Sequence, residues 1–149
     1  MDDPVDIRGW QRLSARISTS GKLDRDDPAR LAALGVRHVI NLALDDHPEA
    51  LADEPGLLAA QGIAYTHIPI PFDRPTWADY DSFKRALGAL EGPVHVHCIM
   101  NWRVSAFFYL LHCEQGMEES EARALMARQW DPLASEDPRV RPWRDLLSP

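Results

Sequence analysis

The stretch from Val94 to Ser105 limits the fold more than any other part of the chain. Val94-His95-Val96-His97 follows Gly92-Pro93 and reads as a short buried strand, and Ala106 to Glu114 reads as a buried helix. Between them lie Cys98 and, five positions later, Arg103. A strand, a tight loop and a helix N-terminus make an anion site, because unpaired N–H groups and the positive end of the helix dipole converge on the loop. The same field draws negative charge onto a thiol placed there. Burying an arginine at that helix start without an anion would be costly. Cys98 is therefore read as an activated nucleophile in an oxyanion cradle rather than as a small core residue.

The chain before this stretch repeats a rhythm of helix, glycine and strand. Asp26-Asp27-Pro28 opens a helix with Leu31 and Leu34 inward and Gly35 as its stop, and Val36 to Leu42 follows as a β-branched strand. Pro48 begins a second helical stretch to Gln61, broken by Pro55-Gly56 and stopped at Gly62. Ile63 to Ile70 alternates as a strand whose far end leaves the sheet at Pro69 and Pro71. Thr76, with Asp79 three residues on, caps an amphipathic helix with Tyr80, Phe83, Leu87 and Leu90 on one face. Earlier, Asp6 to Ser20 suggests a strand around Ala15–Ile17, and Ser18-Thr19-Ser20-Gly21 reads as a turn. After the loop the chain is helical, over Val104 to Gln115, Glu118 to Trp130 and a short piece near Val140–Leu147 that packs Trp143. The expected fold class is α/β, a central, mostly parallel sheet flanked by helices.

At 149 residues the chain suits one domain with one substantial core, spanning 1–149, with residues 1–17 leading in and 117–149 supplying the last helices. A net charge of −7 with no basic stripe argues against a nucleic-acid surface. No apolar run is long enough for a membrane span, and Met1-Asp2-Asp3-Pro4 lacks the features of a signal peptide. Of two cysteines, Cys113 falls within a helical apolar pattern, so a reduced, cytoplasmic protein is expected. Nothing in the residues reports an oligomeric state.

His97-Cys98 after an apolar strand, with an arginine closing the loop, resembles the signature of the cysteine-dependent protein-tyrosine and dual-specificity phosphatases. That loop reads HC-x5-R-S/T with a glycine three residues after the cysteine. Here Asn101 stands at the glycine position, Ser105 at the position of the hydroxyl, and Arg103 arrives one residue early. Asparagine is the non-glycine residue that best tolerates positive φ. The resemblance extends to Leu31–Leu42, Gly62–Ile70 and Gly92–Cys98, which look like small bacterial dual-specificity-like phosphatase domains. It implies a dual-specificity-phosphatase-like fold and hydrolysis of a phosphomonoester through a thiophosphoryl-enzyme intermediate, with no metal and no cofactor. By that resemblance Cys98 is the nucleophile, Arg103 holds the phosphoryl oxygens, Asp73 on the Pro71–Pro75 loop is the general acid, and Ser105 assists thiolate departure. Asp79 and Asp81 are the nearby alternatives for the acid. Ile99, Met100, Asn101, Trp102 and Arg103 form the binding loop, with Trp102 as a wall of the substrate entrance. The implied partner is a phosphorylated small molecule or phosphoprotein, and with only Arg74 as a further nearby cation, a highly phosphorylated ligand is disfavoured.

Two other readings share these residues. A Cys-x4-Arg loop is the length used by rhodanese-type sulfurtransferases, in which Cys98 would carry a persulfide. The bulk of Ile99, Met100 and Trp102 also suits a non-catalytic anion-binding module. His95 and His97 share one strand face at metal-ligand spacing, yet further ligands would have to come from His67, Asp73 or His38, whose spacing does not demand it, and both read as structural. The Asp45–Glu49 run reads as a solvated acidic loop.

Overall fold

A computed structural model of the chain describes residues 2–148. Its strands are β1 (Gln11–Arg12), β2 (Ile17–Ser20), β3 (His38–Asn41), β4 (Ala64–His67) and β5 (Val94–His97). Its helices are α1 (Asp27–Ala33), α2 (Glu54–Ala59), α3 (Trp77–Gly88), α4 (Trp102–Glu114), α5 (Glu119–Ala127) and α6 (Arg141–Leu147). The five strands form one sheet in the order β1-β2-β5-β3-β4, parallel throughout except for β1. The expected α/β class is what the structure has.

Strand β5 lies at the centre, and the register pairs His97 with both Ser20 and Asn41. The carboxyl ends of β2, β3 and β5 therefore finish side by side. In open α/β sheets that edge is where ligands bind. Alternation along β5 sorts its side chains. Val94 and Val96 join Ile40, Phe83, Phe107 and Trp143 in the core under α3, α4, α5 and α6. His95 and His97 point to the other face, where Leu31 of α1 and Leu58 of α2 pack with Val39 and Ile63. No helix among the described residues is long and apolar enough to cross a membrane.

The Thr76 cap forms as expected, a reciprocal box in which the Asp79 N–H donates to Thr76 Oγ1 and the Thr76 N–H donates to the Asp79 carboxylate. Two local expectations need correction. Ser18-Thr19-Ser20 is strand β2, not a turn, and it lies inside the sheet with all three residues buried. Its polar side chains are tolerated there because they are bonded across the sheet. Ser20 Oγ donates to Gly21 O at 2.8 Å, so at the other 2.8 Å contact it accepts from His95 Nε2, which leaves His95 Nδ1 to accept from Ser18 Oγ at 2.8 Å. The second correction is that Pro48 starts no helix and Pro55-Gly56 breaks none, since both lie inside α2. Helical structure begins only at Glu54, with Pro55 in its first turn, where a missing N–H costs nothing.

Candidate active site

The segment from Cys98 to Asn101 links the end of β5 to the first turn of α4. Asn101 adopts a left-handed conformation (φ 66, ψ 14) and is fully buried. Its Nδ2 donates to Gly9 O at 2.8 Å and to Thr19 Oγ1 at 3.0 Å, while Thr19 Oγ1 donates to Gln11 O at 2.8 Å. The other side of the loop is held by the Lys22 N–H, which donates to Ile99 O at 2.9 Å. That approach requires glycine at position 21, since a Cβ there would lie 2.4 Å from Ile99 O. The N-terminal segment and β2 thus hold the loop from behind, and the amides of Ile99, Met100, Asn101, Trp102 and Arg103 donate to no acceptor among the described residues.

Arg103 sits in the first turn of α4 and is only 7% exposed. Its guanidinium lies 5.5 Å from the Phe72 ring. Among the described residues it makes no ion pair, and its buried Nε has no hydrogen-bond partner. Cys98, 1% exposed, lines the same cleft of about 300 Å³ together with Ile99, Met100, Trp102, Phe72 and His47. A second recess of about 540 Å³ opens beside it, sharing Phe72, Trp102 and Arg103 and adding Asp73, Leu44, Asp137, Arg139 and Val140. A buried cation, free amides and a thiol at one helix N-terminus form a pocket built for an oxyanion.

Behind the cysteine, His97 Nε2 lies 2.6 Å from Glu54 Oε2 and Nδ1 lies 3.2 Å from Cys98 O. Both partners are buried, and Glu54 is further approached by Asn41 Nδ2 (3.5 Å), which also donates to the Tyr65 hydroxyl at 3.1 Å. This fixes the ring immediately before Cys98. His95 stacks between Trp10 and His97, and burial pushes it well below its usual value, so it stays a neutral structural residue.

The structure brings Cys98, Ile99, Met100, Trp102 and Arg103 to one cleft, and Asp73 to its second arm. Asn101 lies beneath the loop as an anchor. Ser105 is not brought in. Its hydroxyl donates to Trp102 O at 3.2 Å, and it lines a small cavity with Gln11, Thr19 and Phe108 on another side of α4. The reason is the short loop. Because Arg103 arrives one residue early, Ser105 lies two positions after it, a rotation of roughly 200° around the helix. The position beside the arginine is taken by buried Val104. Residues the sequence reading missed are Phe72, His47, Glu54 and the tail around Arg139. Arg8 and Arg139 bring added cations near the cleft, but each is paired, with Glu49 at 2.8 Å and Asp137 at 2.7 Å.

Comparison with known proteins places this geometry in a family. Residues 9–113 match the model of the phosphatase-like domain of Beta-lactamase hydrolase-like protein. The chain is 32% identical over 117 residues to the Beta-lactamase hydrolase-like protein of Xylella fastidiosa, covering 76% of this chain and 27% of that one, so it spans about a quarter of the relative's length. A DUF442 protein of Shewanella putrefaciens CN-32 superposes with a TM-score of 0.80 at 29% identity, covering 95% of this chain and 88% of that one. P. aeruginosa TpbA in complex with pTyr shares the fold, with a TM-score of 0.70 at 23% identity over 99% of this chain and 94% of that one. The family and fold expected from the His97-Cys98 loop and its upstream strands are thereby borne out. The chain belongs to the phosphatase-like domain family of the Beta-lactamase hydrolase-like proteins, built on the fold of the cysteine-dependent tyrosine and dual-specificity phosphatases.

Proposed function

We propose that the chain is a cysteine-dependent phosphatase acting on a phosphomonoester. The observation that carries this reading is Arg103, a buried guanidinium with an unpartnered Nε, opening onto the same cleft as Cys98 at the N-terminus of α4. Such a cation is stable only if an anion completes it. In the reaction, Cys98 Sγ attacks phosphorus in line, and the bond to the ester oxygen breaks with its electron pair leaving on that oxygen. Arg103 and the loop amides hold the equatorial oxygens as charge redistributes. Asp73 supplies the proton to the departing oxygen. A water then attacks the thiophosphate, gives its proton to the Asp73 carboxylate, and releases phosphate and the thiolate. The aromatic and aliphatic walls from Phe72, Trp102, Ile99 and Met100 suit an apolar body next to a single phosphate, a protein phosphotyrosine or phosphoserine, or a small phosphate ester. P. aeruginosa TpbA, solved in complex with pTyr, supports a phosphorylated substrate class. The free cysteines Cys98 and Cys113 fit action in the reducing cytoplasm.

Hydrolysis of 4-nitrophenyl phosphate tests the reading. Wild type should turn it over and Cys98→Ser should fall to background; activity that survives the substitution moves the nucleophile elsewhere.

One observation favours a second reading. With the loop one residue short and Val104 in place of a hydroxyl beside Arg103, the cradle matches the Cys-x4-Arg length of sulfurtransferases, in which Cys98 would carry a persulfide. Sulfur transfer from thiosulfate to cyanide, with no phosphatase turnover, would select it. Silence in both assays, with phosphate still raising Tm, would leave an anion-binding module.

A further inference from the structure

The tail beyond Asp131 lies outside the residues matched to the family model, yet it reaches the site. Trp143 of α6 is completely buried, and its Nε1–H donates to Phe72 O at 2.7 Å. The Phe72 carbonyl and the Asp73 N–H belong to one planar peptide unit, so a bond that fixes the carbonyl fixes the plane from which Asp73 Cα departs. The Phe72 ring is enclosed at the same time by Trp143 (5.8 Å), Trp130 (5.7 Å) and Trp102 (6.1 Å), and it carries the Arg103 guanidinium on its face. Pro71 and Pro75 stiffen the ends of the loop, and the Arg74 N–H donates to Pro71 O at 3.2 Å. Val140 and Arg139, just before α6, face Asp73 across the second recess.

We propose that Trp143 is a positioning residue for the acid loop: its indole N–H holds the Phe72–Asp73 peptide so that the Asp73 carboxyl stays at the cleft. The C-terminal helix thereby acts on proton delivery without touching substrate. This rests on the phosphatase reading above, with Asp73 as the acid.

A leaving-group comparison tests it. Trp143→Phe keeps an aromatic ring in the pocket and removes the donor together with the second fused ring. Against phenyl phosphate, whose leaving oxygen needs a proton, kcat/KM, which reports only the steps through cleavage of the ester bond, should fall about tenfold, a part of the ~10²–10⁴-fold that a general acid supplies. Against 2,4-dinitrophenyl phosphate, which leaves without one, it should change by less than about twofold. Asp73→Asn should show the same selectivity more strongly. Amide exchange at Arg74 should quicken in Trp143→Phe while exchange in β5 and α4 stays as in wild type. Equal losses on both esters, or no change on either, overturn the proposal. A wild type inert toward both esters instead overturns the phosphatase reading, and Arg74 exchange alone then decides whether Trp143 clamps the loop: unchanged exchange rejects it. If Trp143→Phe does not fold, benzothienylalanine at the same position removes the N–H with the bicyclic ring retained.

Discussion

Asn101 bears on the site through its backbone and its amide at once. Its φ of 66 is the turn that sends the chain from β5 into α4, and its Nδ2 ties that turn to Gly9 and Thr19. Alanine would lose both bonds and still have to adopt the left-handed conformation, so Asn101→Ala should cost about 2–4 kcal/mol in chemical denaturation. Asn101→Gly, free of the backbone cost, should lose less, and an equal loss would show that the conformation is not the issue. Ser105 makes the opposite prediction. Its hydroxyl is bonded to Trp102 O on a different side of the helix from Arg103, so Ser105→Ala should change kcat by less than about twofold. A loss of tenfold or more would mean that the hydroxyl reaches the reacting atoms after all.

At the scale of elements, short α2 is tied to the central strand by one buried pair, Glu54 to His97. Removing one member of such a pair leaves the other desolvated without a partner. Glu54→Ala should therefore lower stability by about 1–3 kcal/mol, read from the denaturant midpoint. A loss under 1 kcal/mol would show that the pair is not what holds α2. Helix α3 depends instead on local chemistry. Thr76→Ala removes the hydroxyl half of its capping box and should cost about 1 kcal/mol, with little effect on turnover.

For the whole molecule, buried histidines set the response to acid. Burial, with His97 and Arg12 adding to it, pushes His95 well below its usual value, and burial alone lowers His38 and His112. As pH falls through about 6.5 the unfolded chain takes up protons that these folded sites refuse, so stability is complete above that value and declines below it. Tm should be level from pH 8 to 7 and fall between pH 6.5 and 5; a flat profile over that interval would refute the assignment.

How much of this was legible in the chain depends on how far apart the partners lie. Strands β3, β4 and β5, the Thr76 box, the α4 start and the clustering of Cys98, Met100, Trp102 and Arg103 all follow from periodicity, caps and spacing within a few residues. Strand β2 did not, because Ser-Thr-Ser reads as a turn until His95, 75 to 77 residues away, is seen to satisfy its hydroxyls. Glu54 meets His97 across 43 residues, and Trp143 meets Phe72 across 71. Local sequence, then, determined the α/β layout and the oxyanion loop, since both are set by neighbours along the chain. The partner of His97, the exclusion of Ser105 and the hold on the Asp73 loop were decided only by tertiary packing, because each is a contact or a rotation that exists once the sheet and helices have closed on one another.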